Sequence, residues 1–126
     1  MKIKKTNALR LLDRAKIKYE ILTYEVNESD LSAITVAKKI DLNIDRVFKT
    51  LIVRANDGNI FFAVIAGDRE LSKKKLAKLA GVKSLDLVAL KEIENLTGYI
   101  RGGVSPICPK KQYRVFFDED ILRFDK

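Results

Sequence analysis

The chain has 126 residues, 47% of them apolar and 33% charged, with 25 lysines and arginines against 17 acids and a formal charge of +8. That length supports one domain with its own core, and the longest apolar runs, Leu51 to Val53 and Ile60 to Ala66, are far too short for a bilayer-spanning helix. A single cysteine, Cys108, and the lack of any histidine exclude an internal disulfide and an ordinary zinc site.

The N-terminal Met1-Lys2-Ile3-Lys4-Lys5 is basic, but Thr6, Asn7 and the charged stretch after them lack the apolar centre of a secretion signal, so the expected location is the cytoplasm. Thr6 can cap a helix whose Ala8, Leu11, Leu12 and Ala15 recur at helical spacing. A strand is predicted from Tyr19 to Val26. Ala33, Val36, Ala37 and Ile40 then fall at i, i+3, i+4 and i+7, which predicts a short helix with one buried stripe, ending near Asp41-Leu42-Asn43. Phe48 to Ala55 and Ile60 to Ala66 are apolar and β-branched, and Asn56-Asp57-Gly58-Asn59 between them predicts a hairpin of central strands. Ser72 caps a further helix, with Leu76, Leu79 and Ala80 inward and Gly81 as its stop. Ala89, Ile93 and Leu96 mark another that ends at Gly98, and Tyr113 to Phe117 reads as a last strand. Interleaved helices with at least one hairpin give the class α+β with a mixed sheet.

Basic residues crowd the first helix (Lys2, Lys4, Lys5, Arg10, Arg14, Lys16, Lys18), the segment Lys73-Lys74-Lys75 with Lys78 and Lys83, and the stretch Lys110, Lys111, Arg114. Any one cluster is ordinarily a solvated face; three together favour a phosphate-rich ligand. A DNA-binding domain would rest on charge alone, since no helix-turn-helix pattern is evident.

Strand alternation sends Lys49 to the face of Leu51 and Val53. If that face is interior, its ammonium needs an anionic or carbonyl partner or loses its proton. Taken singly, a lysine at a strand entrance is ordinarily exposed, Thr50 is a strand threonine, Tyr24 a core-edge ring, Gly102-Gly103 a turn and Ser105-Pro106 a loop. No histidine is available to activate Ser105.

In combination these residues are more specific. Tyr24, the run Val47-Phe48-Lys49-Thr50-Leu51, the lysine-rich helix after Leu71-Ser72, and Thr97-Gly98-Tyr99-Ile100-Arg101-Gly102-Gly103-Val104-Ser105-Pro106 resemble, in order and spacing from about Asn7 to Asp118, the YbaK/EbsC family of aminoacyl-tRNA deacylases. The resemblance is to the Cys-tRNA(Pro) deacylase group, whose fold is shared with the editing insertion of bacterial prolyl-tRNA synthetases. It implies a partly barrel-like mixed sheet flanked by short helices. It also implies a free-standing enzyme that hydrolyses mischarged aminoacyl-tRNA, Cys-tRNA(Pro) first among them, with no metal or other cofactor.

By that resemblance Lys49 matches the essential lysine, Tyr24 and Thr50 match pocket residues, and Gly102, Gly103, Val104, Ser105 and Pro106 match the loop around the aminoacylated 3′ end. Lys73, Lys74, Lys75, Lys110 and Lys111 are candidates for the tRNA backbone. Expected partners are aminoacyl-tRNA, tRNA(Pro) in particular, and prolyl-tRNA synthetase, with neither DNA nor a membrane.

Two departures from the family pattern stand out. Cys108 stands where a glycine is expected after Ser105-Pro106-Ile107, and Pro109 follows it, which stiffens the loop. The sequence also ends at Lys126, where family members continue with further strands, so a single editing domain over residues 1–126 looks shortened. Its open sheet edge is expected to be covered by Ile121, Leu122 and Phe124 or by a second subunit in a homodimer. A module of this fold that binds aminoacyl-tRNA without turning it over is the alternative reading.

Overall fold

The apolar runs form the hairpin that their composition predicts. In this computed structural model, which describes residues 5–26, 29–100, 103–107 and 109–124, β1 (Phe48–Ala55) and β2 (Ile60–Ala66) pair antiparallel, Phe48 opposite Ala66 and Arg54 opposite Ile60. The Asp57 carboxylate accepts from the Asn59 N–H at 3.0 Å in the turn between them. A short strand, β3 (Leu85–Leu87), pairs antiparallel with residues 53–55 of β1. On the other side β4 (Arg114–Phe117) runs parallel to β2, giving the order β3-β1-β2-β4 and a mixed sheet, as expected. β2 is therefore flanked on both sides within the chain, whereas β1 has its second neighbour only along residues 53–55.

Each face of the sheet carries its own apolar cluster. On one, Val53, Ala55, Phe61 and Ala63 pack with Leu76 and Ala77, joined by Leu51 and Phe116. On the other, Ile52, Phe62 and Val88 pack with Ile93, Leu96, Val104, Tyr113 and Val115. Phe62 and Val53 are fully buried, each contributing about 1.5–3 kcal/mol by removal from water.

Among the helices, α1 (Asn7–Arg14) has Thr6 as its cap, the hydroxyl accepting from the Leu9 N–H at 3.2 Å, but none of its residues is buried. In α2 (Ala33–Lys39), capped by Ser32, the expected stripe faces inward, with Ala37 buried. α3 (Lys73–Ala80) begins at Ser72 and stops at Gly81. Its buried side runs through Leu76 and Ala77 with Ala80 partly buried, so Leu79, predicted inward, lies 69% exposed. Two small alanines let this side approach the sheet closely, and Leu79 falls outside it. A 3₁₀ turn (Leu90–Glu92) leads into α4 (Ile93–Thr97), and others cover Ile44–Arg46 and Glu119–Arg123.

The predicted strand Tyr19 to Val26 does not form. That segment is irregular and almost wholly exposed and joins neither open edge of the sheet; it is tied to α2 instead, its carbonyl at Glu25 accepting from the Lys39 ammonium. The tail likewise behaves differently from the expectation. Its 3₁₀ turn docks by the end of β2 through an Arg69–Asp120 ion pair at 3.3 Å, Phe124 lies under the Arg46 guanidinium, and Leu122 is left 85% exposed.

Candidate functional site

Lys49 and Thr50 are neighbours on β1 and therefore face opposite sides of the sheet. Lys49 stands opposite Ile65 on the face of Leu51 and Val53, and Thr50 stands opposite Val64 on the face of Ile52. Because β3 pairs only with residues 53–55, the β1 edge from Phe48 to Leu51 has no strand beside it among the described residues. Lys49 is half-buried there and makes no hydrogen bond or ion pair with described residues. Among the described residues no fully buried side-chain nitrogen or oxygen lacks a partner, so the Lys49 ammonium reaches solvent. No buried counter-ion is needed. The result is an available cation at the entrance of a rigid central strand.

The entrance is shaped by close backbone packing. Gly67, just past β2, donates its N–H to the Val47 oxygen at 2.7 Å. A Cβ at Gly67 would lie 2.5 Å from that of Ala33, so α2 and the turn Ile44–Arg46 can sit against this end of the hairpin only because residue 67 is glycine.

The glycine-containing loop belongs to the Thr50 side, where Val104 packs against the Ile52–Phe62–Val88 cluster. It is built more firmly than its composition implies. Fully buried Thr97 donates its hydroxyl to the Ile93 oxygen at 2.8 Å and accepts from the Tyr99 N–H at 3.0 Å. The Tyr99 phenol donates across the loop to the Ile107 oxygen, and the Ser105 hydroxyl accepts from the Ile107 N–H at 3.0 Å. Lys110 N–H closes the loop onto the Thr97 oxygen at 2.8 Å, and Gly98 takes φ +78°, which a Cβ would make costly. Below it, Tyr113 stacks on Phe62 and donates to the Leu96 oxygen at 2.7 Å. Sequence reasoning quoted Thr97 and Tyr99 within the loop motif but gave them no role. A buried threonine with two tyrosines around a glycine-rich stretch is the signal that marks them as its frame.

Gly103 differs from Gly67 and Gly98. Its φ is not in the left-handed region, and an added Cβ would meet only Ile100 at 3.6 Å, an ordinary contact. Among the described residues nothing requires glycine there. Arg101, Gly102 and Cys108 lie outside the described residues. Ser105 serves as a backbone acceptor, and Pro106 is partly buried beside it.

The remaining candidates are dispersed. Tyr24 is 39% exposed on the irregular segment tied to α2 through Glu25. Lys73 is held by Asp86 at 2.7 Å, and this contact keeps the Asp86 carboxyl below its ordinary pKa. Lys74, Lys75, Lys110 and Lys111 are exposed, without ion-pair partners among the described residues. Grooves elsewhere do not include Lys49: one of about 1200 Å³ is lined by Ile17, Tyr19, Leu22, Leu42 and Arg46.

A family model described as the aminoacyl-tRNA editing domain matches residues 28–126. The chain belongs to the aminoacyl-tRNA editing domain family. It is 41% identical over 120 residues to EbsC of Enterococcus faecalis, described as a candidate Cys-tRNA(Pro)/Cys-tRNA(Cys) deacylase; the alignment covers 95% of this chain and 73% of EbsC. It is also 33% identical over 86 residues to the proline–tRNA ligase of Xylella fastidiosa, covering 68% of this chain but only 15% of the ligase. Among solved structures, a hypothetical protein with 26% identity superposes with a TM-score of 0.81, covering 93% of this chain and 76% of its own. A candidate trans-editing enzyme for prolyl-tRNA synthetase shares the fold at 21% identity, with a TM-score of 0.76 over 96% of this chain and 78% of that one. The editing domain thus has the four-stranded mixed sheet, and no helix among its described residues is long and apolar enough to cross a membrane.

Proposed function

We propose that this editing domain hydrolyses the ester joining a wrongly attached amino acid to tRNA, with Cys-tRNA(Pro) as its substrate. The observation that carries this reading is the similarity to EbsC over nearly the whole chain, together with the editing-domain match over residues 28–126. The substrate is anionic, in keeping with the formal charge of +8.

An aminoacyl ester is already activated, so positioning and electrostatic support suffice without a protein nucleophile. In a cysteinyl ester the substrate's own thiolate attacks the carbonyl carbon. A carbon–sulfur bond forms, the bond to the ribose oxygen breaks, that oxygen takes up a proton, and water then opens the thiolactone to free cysteine. Lys49, a solvent-reaching cation on the other face of β1, extends around the uncovered β1 edge to support the developing oxyanion or hold the 3′-terminal phosphate of a substrate seated on the Thr50 side. Backbone N–H groups of Gly102 and Gly103 cradle the ester, with Tyr24, Thr50, Val104, Ser105 and Pro106 shaping the site. The glycine at 103, which the fold does not demand, leaves room for a ligand against the backbone. Lys74, Lys75, Lys110 and Lys111 track the tRNA backbone, and Lys73 joins them when it leaves Asp86. Prolyl-tRNA synthetase in the cytoplasm is the partner whose errors such an activity removes.

Incubation with Cys-tRNA(Pro), Ala-tRNA(Pro) and Pro-tRNA(Pro) tests the reading. Hydrolysis of the cysteinyl ester, reduced on the order of a hundredfold by Lys49→Ala as when one oxyanion donor is lost, is the expected result. Binding without turnover would instead make the chain a silent tRNA-binding module, and full activity of Lys49→Ala would remove that residue from the chemistry.

A further inference from the structure

The outer side of β4 is unpaired among the described residues. The Asp118 N–H donates to the Val64 oxygen at 2.9 Å, and in the ladder that sets Phe61 opposite Arg114 and Val64 opposite Phe117 this turns the backbone groups of Arg114, Phe116 and Asp118 toward β2. The N–H and C=O of Val115 and Phe117 point the other way. Beside them the Phe117 side chain is 52% exposed.

We propose that this edge joins two copies of the chain, β4 pairing antiparallel with β4 about a two-fold axis through Phe116. The outward groups of Val115 then exchange hydrogen bonds with those of the partner's Phe117, and the symmetry repeats the exchange. This register also satisfies the side chains. Val115 meets the partner's Phe117 on one face of the sheet, and Phe116 meets the partner's Phe116 on the other.

On that second face Arg114 comes opposite the partner's Asp118. The Arg114 guanidinium lies 4.9 Å from the Phe116 ring centre and has no carboxylate partner among the described residues. Among the described residues the Asp118 carboxylate accepts only from the Asp120 N–H, at 3.0 Å. Pairing thus unites two charges that lack ionic partners among the described residues of one chain, twice over. An eight-stranded sheet follows, and an exposed apolar edge is removed.

Sedimentation equilibrium from micromolar to submillimolar concentration tests this on the whole chain. A monomer–dimer equilibrium is expected, with amide exchange at Val115 and Phe117 slowing as the dimer forms. Arg114→Asp alone sets acid against acid and Asp118→Lys alone sets base against base, each weakening association by about tenfold or more. An equimolar mixture of the two restores opposite charges at both junctions and must recover the dimer. Because Asp118 also caps the last 3₁₀ turn, circular dichroism checks that variant's fold; Phe117→Lys, at a half-exposed ring, must abolish the dimer by itself. A wild-type chain that stays monomeric, a dimer indifferent to Arg114→Asp or Phe117→Lys, or a mixture of folded variants that stays dissociated would overturn the proposal.

Discussion

Replacing Gly67 with alanine places a Cβ 2.5 Å from the Ala33 Cβ and 3.0 Å from both the Ile44 Cδ1 and the Val47 oxygen. Carbon atoms in contact prefer about 3.5–4.0 Å, so α2 has to retreat by roughly an ångström. Ala33 opens α2, and Val47 O is already bonded to the Gly67 N–H, so no flexible side-chain end absorbs the whole displacement. Overpacking of this kind costs about 1–3 kcal/mol, offset by about 0.4–1 kcal/mol because alanine stiffens the unfolded chain. The net expectation is a loss of up to about 2.6 kcal/mol, centred on about 1.3 kcal/mol, read as a lower urea midpoint at unchanged slope. Deacylation should fall as well, since the displaced elements bound the strand entrance that carries Lys49. A Gly67→Ala protein as stable as the parent would refute the close-approach argument.

Gly103→Ala, which meets only an ordinary contact with Ile100, should leave thermal stability unchanged or slightly raised while lowering deacylation at least about tenfold, from loss of backbone access. Equal activity would dissociate the loop from the substrate. The hydrogen bond from Arg54 holds the Glu92 carboxyl below its ordinary pKa. Its stabilisation is therefore complete above the unfolded value and disappears as pH falls through the depressed folded one. Acid titration of Glu92→Gln should show a shallower decline over that window, and a curve parallel to the parent's would rule the pair out as a contributor. Binding of tRNA should weaken with salt, with a slope of about −0.7 per single-stranded phosphate neutralised, and exchanging Lys74, Lys75, Lys110 and Lys111 for glutamine should flatten it. Unchanged slopes would place the tRNA contact elsewhere.

The hairpin is legible in sequence because its signals are local: two apolar, β-branched runs and an Asp-Gly turn between them. The same holds for the caps at Thr6 and Ser72 and for the stops at Gly81 and Gly98. What escapes local reading depends on tertiary partners. Leu85–Leu87 is too short and too mixed to announce a strand, and it pairs only because the Asn56 side chain accepts from the Lys83 and Ser84 N–H groups and brings it alongside β1. Tyr19 to Val26 has strand-like composition but is held to α2 through the Glu25 carbonyl rather than to a sheet edge. At the site, sequence selects Lys49, Thr50 and the glycine loop, and strand alternation then divides them, Lys49 to one face and Thr50 with Val104 to the other. The loop's rigidity was hidden because it comes from Tyr99 and Thr97 reaching backbone groups across the loop.

The parallel pairing of β2 with β4 also fixes the order in which the molecule assembles. β1 and β2 are joined by a tight turn, whereas the register of Phe61 with Arg114 brings together segments separated by α3, β3, α4 and the whole glycine loop. Closing so long a connection costs chain entropy before its contacts return any stabilisation, so the hairpin forms early and β4 docks late. Val53→Ala should accordingly slow refolding, while Val115→Ala should act mainly by speeding unfolding, and the opposite partition would contradict this sequence of events. The loop is anchored at one end to Thr97 and at the other to the approach to β4. A nascent chain therefore acquires its core before its chemistry.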